Sequence, residues 1–129
     1  MKRLLKALST LLALCCISCL FAACSKKDND ILYGSYYSID NENSYIVLTD
    51  ETITFYNVDF TLLEEDILYY LGESVDASAI LDGAQHYEVS IDNDKIFVDV
   101  YKDIALNLYY NSAAKSLTTL ERKYILREV

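Results

Sequence analysis

Apolar and polar positions alternate with a period of two through most of the C-terminal third of the chain. Tyr87, Val89 and Ile91 share one parity, then Ile96, Val98 and Val100, then Ile104, Leu106, Leu108 and Tyr110. A strand sends successive side chains to opposite faces, so each run predicts a strand with one apolar face. Asp92-Asn93-Asp94 separates the first two runs with side chains that bond their own backbone and tolerate left-handed dihedrals. A second turn is predicted at 111–115, followed by strands at 117–120 and 123–127. The N-terminal half has the same texture, with strands expected at 32–39, 45–49 and 52–57 and turns at 40–43 and Asp50-Glu51.

One segment changes period. Phe60, Leu63, Ile67, Tyr70 and Leu71 recur at helical spacing, Thr61-Leu62-Leu63-Glu64 fits a capping box, and Gly72 stands where a left-handed C-terminal residue is wanted. A helix over 62–71 is predicted. Asp76 is placed to cap a second short helix over 77–81, which Gly83 would end. The fold class expected is therefore mainly β: a small antiparallel up-and-down barrel or meander of about eight strands, with a helical insertion at about residues 62–82.

The first thirty residues follow a different logic. Lys2, Arg3 and Lys6 precede an uncharged apolar run over 7–23 that ends in small residues before Cys24, the order of a secretory leader. Leu20-Phe21-Ala22-Ala23-Cys24 resembles the lipobox of bacterial lipoproteins, with Phe21 standing where that family has an aliphatic residue. The resemblance implies cleavage between Ala23 and Cys24 and lipidation of Cys24 on sulfur. It also implies diacylglyceryl and palmitate anchoring on the extracytoplasmic, cell-surface side of a bacterial membrane. Two or more acyl chains suffice for stable anchoring, whereas one does not. Cys15, Cys16 and Cys19 would leave with the leader. Cys24 is a better attachment point than Cys19 because polar Ser25, Lys26, Lys27, Asp28, Asn29 and Asp30 follow it as a tether. The organisation expected is a signal peptide over 1–23, a lipidated cysteine and tether over 24–30, and a single domain over 31–129.

Loss of the leader sharpens the composition. The full chain has 129 residues, 11 bases and 20 acids, and residues 1–23 hold three of the bases and no acid, so 106 residues at a charge of −12 would remain. Only Cys24 would be left of four cysteines, so no disulfide within the chain is expected and the core must stabilise the fold unaided. The charge is also uneven. From Asp28 through Asp94 there are sixteen acids and no Lys or Arg, whereas 95–129 carries six bases and four acids. Such a chain repels phosphate, which argues against nucleic acid as a partner, and predicts one strongly negative region: a solvated surface that keeps a tethered domain soluble or, more sharply, a docking face for a basic protein or a cation.

Gly34-Ser35-Tyr36 is similar to the Gly-x-Trp start of lipocalin-like barrels, with Tyr in place of Trp. That resemblance implies a barrel closed around a core or around a small apolar ligand.

Catalytic chemistry finds little to work with, and no catalytic, metal-ligating or cofactor-binding residue is assigned. His86 is the only histidine and reads as a partly exposed strand residue, and multi-ligand zinc sites fail on the count of Cys and His. Asp40-Asn41-Glu42-Asn43 and Asp92-Asn93-Asp94 are oxygen-rich but lack the loop length, central Gly and terminal Glu of helix-loop-helix calcium sites. Glu64, Glu65 and Asp66 are accounted for by the helix dipole. All twelve tyrosines lie beyond Cys24, and Tyr36 and Tyr37, as strand neighbours, cannot both be core. The motif Ser-Ile-Asp-Asn at 38–41 and again at 90–93 reads as one strand-into-turn device used twice. The functional expectation is a non-enzymatic, membrane-anchored ligand-binding module with no cofactor. The alternative is a protein-interaction module, such as an inhibitor or immunity factor, that uses an acidic, Tyr-rich face. Ligand-binding positions cannot be assigned from the pattern.

Overall fold

A computed structural model describes residues 31–127. The leader, Cys24 and the tether lie outside the described residues. Nine strands and two helices follow in the order β1 Gly34–Ser38, β2 Tyr45–Leu48, β3 Thr52–Tyr56, α1 Thr61–Leu71, α2 Ala77–Ile80, β4 Gln85–His86, β5 Glu88–Val89, β6 Lys95–Tyr101, β7 Ile104–Asn111, β8 Ser116–Thr119 and β9 Arg122–Arg127. They form one antiparallel sheet in the order β4-β3-β2-β1-β9-β8-β7-β6-β5, a nearly closed up-and-down barrel. Apart from β4 and β5, which lie at the two ends of the sheet, each strand pairs with its neighbours in sequence, and β1 pairs with β9: Tyr36 sits opposite Leu126 and Ser38 opposite Tyr124. Joining β1 to β9 leaves only the two-residue strands β4 and β5 as edges, and such short edges offer little template for further pairing.

The alternating runs at 96–100 and 104–110 place their apolar parity inside, where Ile96, Val98, Leu106 and Leu108 are buried. The run at 87–91 behaves differently. Only its Glu88 and Val89 form a strand, β5 on β6; the two-residue β4 on β3 precedes it, and Tyr87 carries the chain across the seam between them. Val89, in this two-residue strand at the sheet edge, is 38% exposed, and Ile91, beyond it and without a partner strand, is 87% exposed. The ninth strand arises from this break.

The two ends of the barrel differ. At one end the strand β1 begins, and the segment before it crosses the opening. The Leu32 N–H donates to Tyr110 Oη at 3.1 Å, and Tyr36 Oη donates to the Leu32 carbonyl. At the other end α1 lies over the opening. Phe60 meets Phe55 of β3 edge-to-face at 5.5 Å, and just beyond the helix C-terminus Glu73 receives hydrogen bonds from Tyr101 Oη and Lys102 Nζ, both at 2.5 Å. Leu63 and Ile67 of α1, with Ala77 and Leu81 around α2, are buried with the strand residues in one core. The helical insertion therefore closes this end of the barrel.

Local chemistry explains the boundaries. Gly72 ends α1 in the left-handed conformation, its N–H donating to the Leu68 carbonyl, as its position predicts. Asp76 caps α2 through the Ala79 amide at 3.2 Å. The capping box at Thr61 is corrected: Thr61 is the first helical residue, and its amide and hydroxyl donate instead to Asp59 Oδ1 at 3.0 and 2.6 Å. Glu64 turns away from its own helix to accept the Ala77 amide at 2.7 Å. Both Ser-Ile-Asp-Asn copies act alike. The Ser38 and Ser90 amides donate across their hairpins to Ser44 and Lys95, and the Ser38 and Ser90 hydroxyls accept backbone amides from the turns. Asn93 takes the left-handed conformation that its turn requires.

Candidate functional site

The barrel interior is filled by side chains. Tyr36, Ile46, Ile53, Leu108, Leu117 and Tyr124 from opposing strands are fully or almost fully buried, and Ile67 and Leu81 pack with them. Tyr37, by contrast, stands on the outer face, which settles the parity of the Tyr36-Tyr37 pair. There it stacks on Tyr45 at 4.8 Å, Tyr45 stacks on Tyr56 at 4.6 Å, and the Arg127 guanidinium covers the free face of Tyr37 at 3.5 Å. The strand register puts Tyr37 opposite Tyr45 and Tyr45 opposite Tyr56, so the ladder is a cross-strand row that spacing alone could not reveal.

Beside a cleft of about 260 Å³ lined by Asp40, Asp59, Leu62, Leu120, Glu121 and Arg122, three further clefts are found on the outside of the described residues. The seam forms one of about 330 Å³, lined by residues 85–88 and 97–99. It holds His86, which is exposed on β4 with its backbone paired to Thr52. Among the described residues no three His, Cys, Asp or Glu side chains are grouped to hold a metal ion. A second cleft, about 170 Å³, sits at the helix-covered end between Ser38, Asn41, Ser44, Asn57, Asp59 and Arg122. Hydrogen bonds from the Thr61 hydroxyl and amide hold the Asp59 carboxyl below the usual carboxylate range, and nearby Arg122 adds to the effect. Arg122 also faces Asp40 at 4.0 Å. Its positive charge is thus shared between two carboxylates.

The third is a groove of about 310 Å³ between α1 and the outer side of β7 and β8. Leu62, Tyr109 and Leu120 supply apolar wall, and Asp66 and Glu121 supply carboxylates. Leu120 and Glu121 are the whole of the β8–β9 turn, and both have positive φ, 52° and 62°. A two-residue turn with both dihedrals left-handed is normally built from Asn and Gly. Leu and Glu in this conformation carry strain of order 1 kcal/mol each.

Beside this groove α1 presents an unusual outer surface. Leu62, Leu68, Tyr69 and Tyr70 are 38%, 50%, 81% and 71% exposed, and Glu65 and Asp66 are exposed among them. Tyr69 and Tyr70 pack edge-to-face at 4.9 Å. Tyr109, 55% exposed on β7, adds a further ring. The acids of α1 and the surplus of tyrosine are legible in the chain, whereas the placing of Tyr109 and the 120–121 turn against the helix is not. That juxtaposition follows from strand register. No family model, curated protein or solved structure matches this chain.

Proposed function

We propose that the protein is a lipid-anchored, non-catalytic module that captures a basic protein partner on the outer face of α1. The observation that carries this reading is the set of exposed Leu62, Leu68, Tyr69 and Tyr70 interspersed with Glu65 and Asp66, above a barrel whose interior is occupied. Contiguous exposed apolar side chains on a small domain have a solvation cost, and Tyr is enriched where protein surfaces meet. A filled interior supports protein interaction over the small apolar ligand implied by the lipocalin-like resemblance.

Helix α1 covers the end of the barrel opposite the one crossed by the Leu32 segment. The acidic surface would steer a cationic partner towards it, an effect screened over about 8–10 Å at moderate ionic strength.

The test is site-specific photocrosslinking of the full chain in its host cells. A photoreactive residue at Tyr69 should give a discrete protein adduct that weakens as salt rises. The same residue at Ile91, equally exposed but in the turn between β5 and β6, should not. Equal adducts at both positions, or none at Tyr69, would reject the reading. Cys24→Ser in parallel should move the protein out of the membrane fraction or leave its leader uncleaved, and a wild-type mature protein that still begins at Met1 would reject lipid anchoring.

A further inference from the structure

We infer that the groove between α1 and the 120–121 turn receives an arginine side chain of the partner. This rests on the α1 face being the docking surface and names what that surface selects. The groove has the two chemistries that a long cationic side chain needs. Leu62 and Leu120 offer apolar wall along which an aliphatic stem can lie, and Asp66 and Glu121 offer carboxylates to the charged head. Among the described residues neither Asp66 nor Glu121 has a Lys or Arg partner.

The charge is complementary on a larger scale. Helix α1 carries Glu64, Glu65 and Asp66 and no base. Of these, Glu64 is engaged with the Ala77 amide, which leaves Glu65 and Asp66 turned outwards. A neutral apolar side chain would fill the wall and leave both groove carboxylates unanswered. A short polar one would reach neither.

Tyr109 decides between arginine and lysine. Its ring is 55% exposed on the wall of the groove. A planar, weakly hydrated guanidinium stacks on such a ring while it pairs with a carboxylate, which a compact ammonium does less well. The outer surface of the barrel already contains that contact, with Arg127 over Tyr37 at 3.5 Å.

The experiment uses the full chain in detergent micelles and two synthetic alanine-based helical peptides. One carries Arg and Leu four residues apart, and the other has citrulline, the neutral isostere, in place of Arg. Binding is read by NMR shift perturbation. The Arg peptide should bind about tenfold more tightly than the citrulline peptide, with shifts concentrated at 62–66, 105–109 and 119–121. The double variant Asp66→Asn/Glu121→Gln should abolish the difference between the peptides. Glu65→Gln, which removes an equal charge outside the groove, should preserve it. Leu62→Ser should weaken both peptides.

Equal affinities for the two peptides on the wild-type chain would overturn the inference, as would no binding of the Arg peptide up to about 1 mM. So would loss of the preference in Glu65→Gln, because the general field rather than the groove would then be selecting charge. Concentration-dependent dimerisation that Leu62→Ser abolishes would assign the groove to a second copy of the chain instead. A Tyr69 adduct in cells together with indifference to citrulline would leave the docking face standing and remove the arginine site alone.

Discussion

The carboxylate of Glu64 accepts the backbone N–H of Ala77 at 2.7 Å, so a residue in the first turn of one helix caps the start of the next. This single bond ties the two halves of the insertion that closes the barrel. It separates Glu64 from Glu65 and Asp66, its neighbours in the same acidic run.

Glu64→Gln should therefore behave unlike either neighbour. It weakens a charge-assisted cap on a part-buried amide, with an expected loss of about 1 kcal/mol in urea unfolding and faster hydrogen exchange at Ala77. Glu65→Gln should change stability by less than about 0.5 kcal/mol, the usual scale for an exposed substitution. Equal effects at both positions would mean that the Glu64 bond contributes nothing beyond charge.

Stability should be level through neutral pH and fall in alkali. Burial, with the Tyr110 phenol beside it, raises the Tyr36 phenol far above its ordinary value of 10.0. Burial, with Tyr33 and Asp50 nearby, pushes Tyr87 up to about 12. In both cases the folded state favours the neutral phenol. The contribution is complete below about pH 10, the unfolded value, and is lost as pH rises through the folded values. Urea midpoints measured across this range should begin to drop above about pH 10, and Tyr36→Phe should make the drop shallower. The same variant should lose about 1 kcal/mol at neutral pH, because the Leu32 carbonyl would lose its donor.

The parts of this architecture that were legible in the sequence are those fixed by local chemistry. Ile96, Val98, Leu106 and Leu108 face inwards because β6 and β7 are long enough for the period of two to express itself against a core. Gly72 and Asp76 end and begin helices through bonds within a few residues. Val89 and Ile91 have the same alternation but lose it, since β5 ends after two residues and nothing in the pattern records where pairing stops. Thr61-x-x-Glu64 has the form of a capping box, yet Asp59 takes one half of its role and Ala77 claims the other. The groove was invisible because Tyr109, Leu120 and Asp66 lie far apart in the chain and meet only when the register between β7 and β8 is set.

Gly34 opens the first strand at φ 147°, where a Cβ would stand 2.9 Å from Leu126 Cδ1. A side chain there would require the end of the Leu126 side chain to shift, and the dihedral itself is one that L side chains rarely adopt. Gly34→Ala should cost about 1–3 kcal/mol, combining overpacking with backbone strain. Gly34→Ala with Leu126→Val relieves only the overlap, so it should recover part of that loss in denaturant unfolding. No recovery would place the whole effect on the dihedral.

The strained turn supplies the sharpest contrast between folding and function. Leu120 and Glu121 both occupy left-handed dihedrals that Asn-Gly adopts at little cost, so Leu120→Asn/Glu121→Gly should stabilise the β8–β9 hairpin by about 1–2 kcal/mol. The same exchange removes an apolar wall and a carboxylate from the groove beside α1. If these residues are retained for what they present there, the double variant should melt higher and bind the Arg peptide about tenfold more weakly. A turn that mattered only to the fold would give the gain in melting temperature with unchanged binding. A variant that is no more stable than the parent would show that neighbouring contacts, such as the Thr119 hydroxyl on the Asn107 carbonyl at 2.7 Å, already offset the strain.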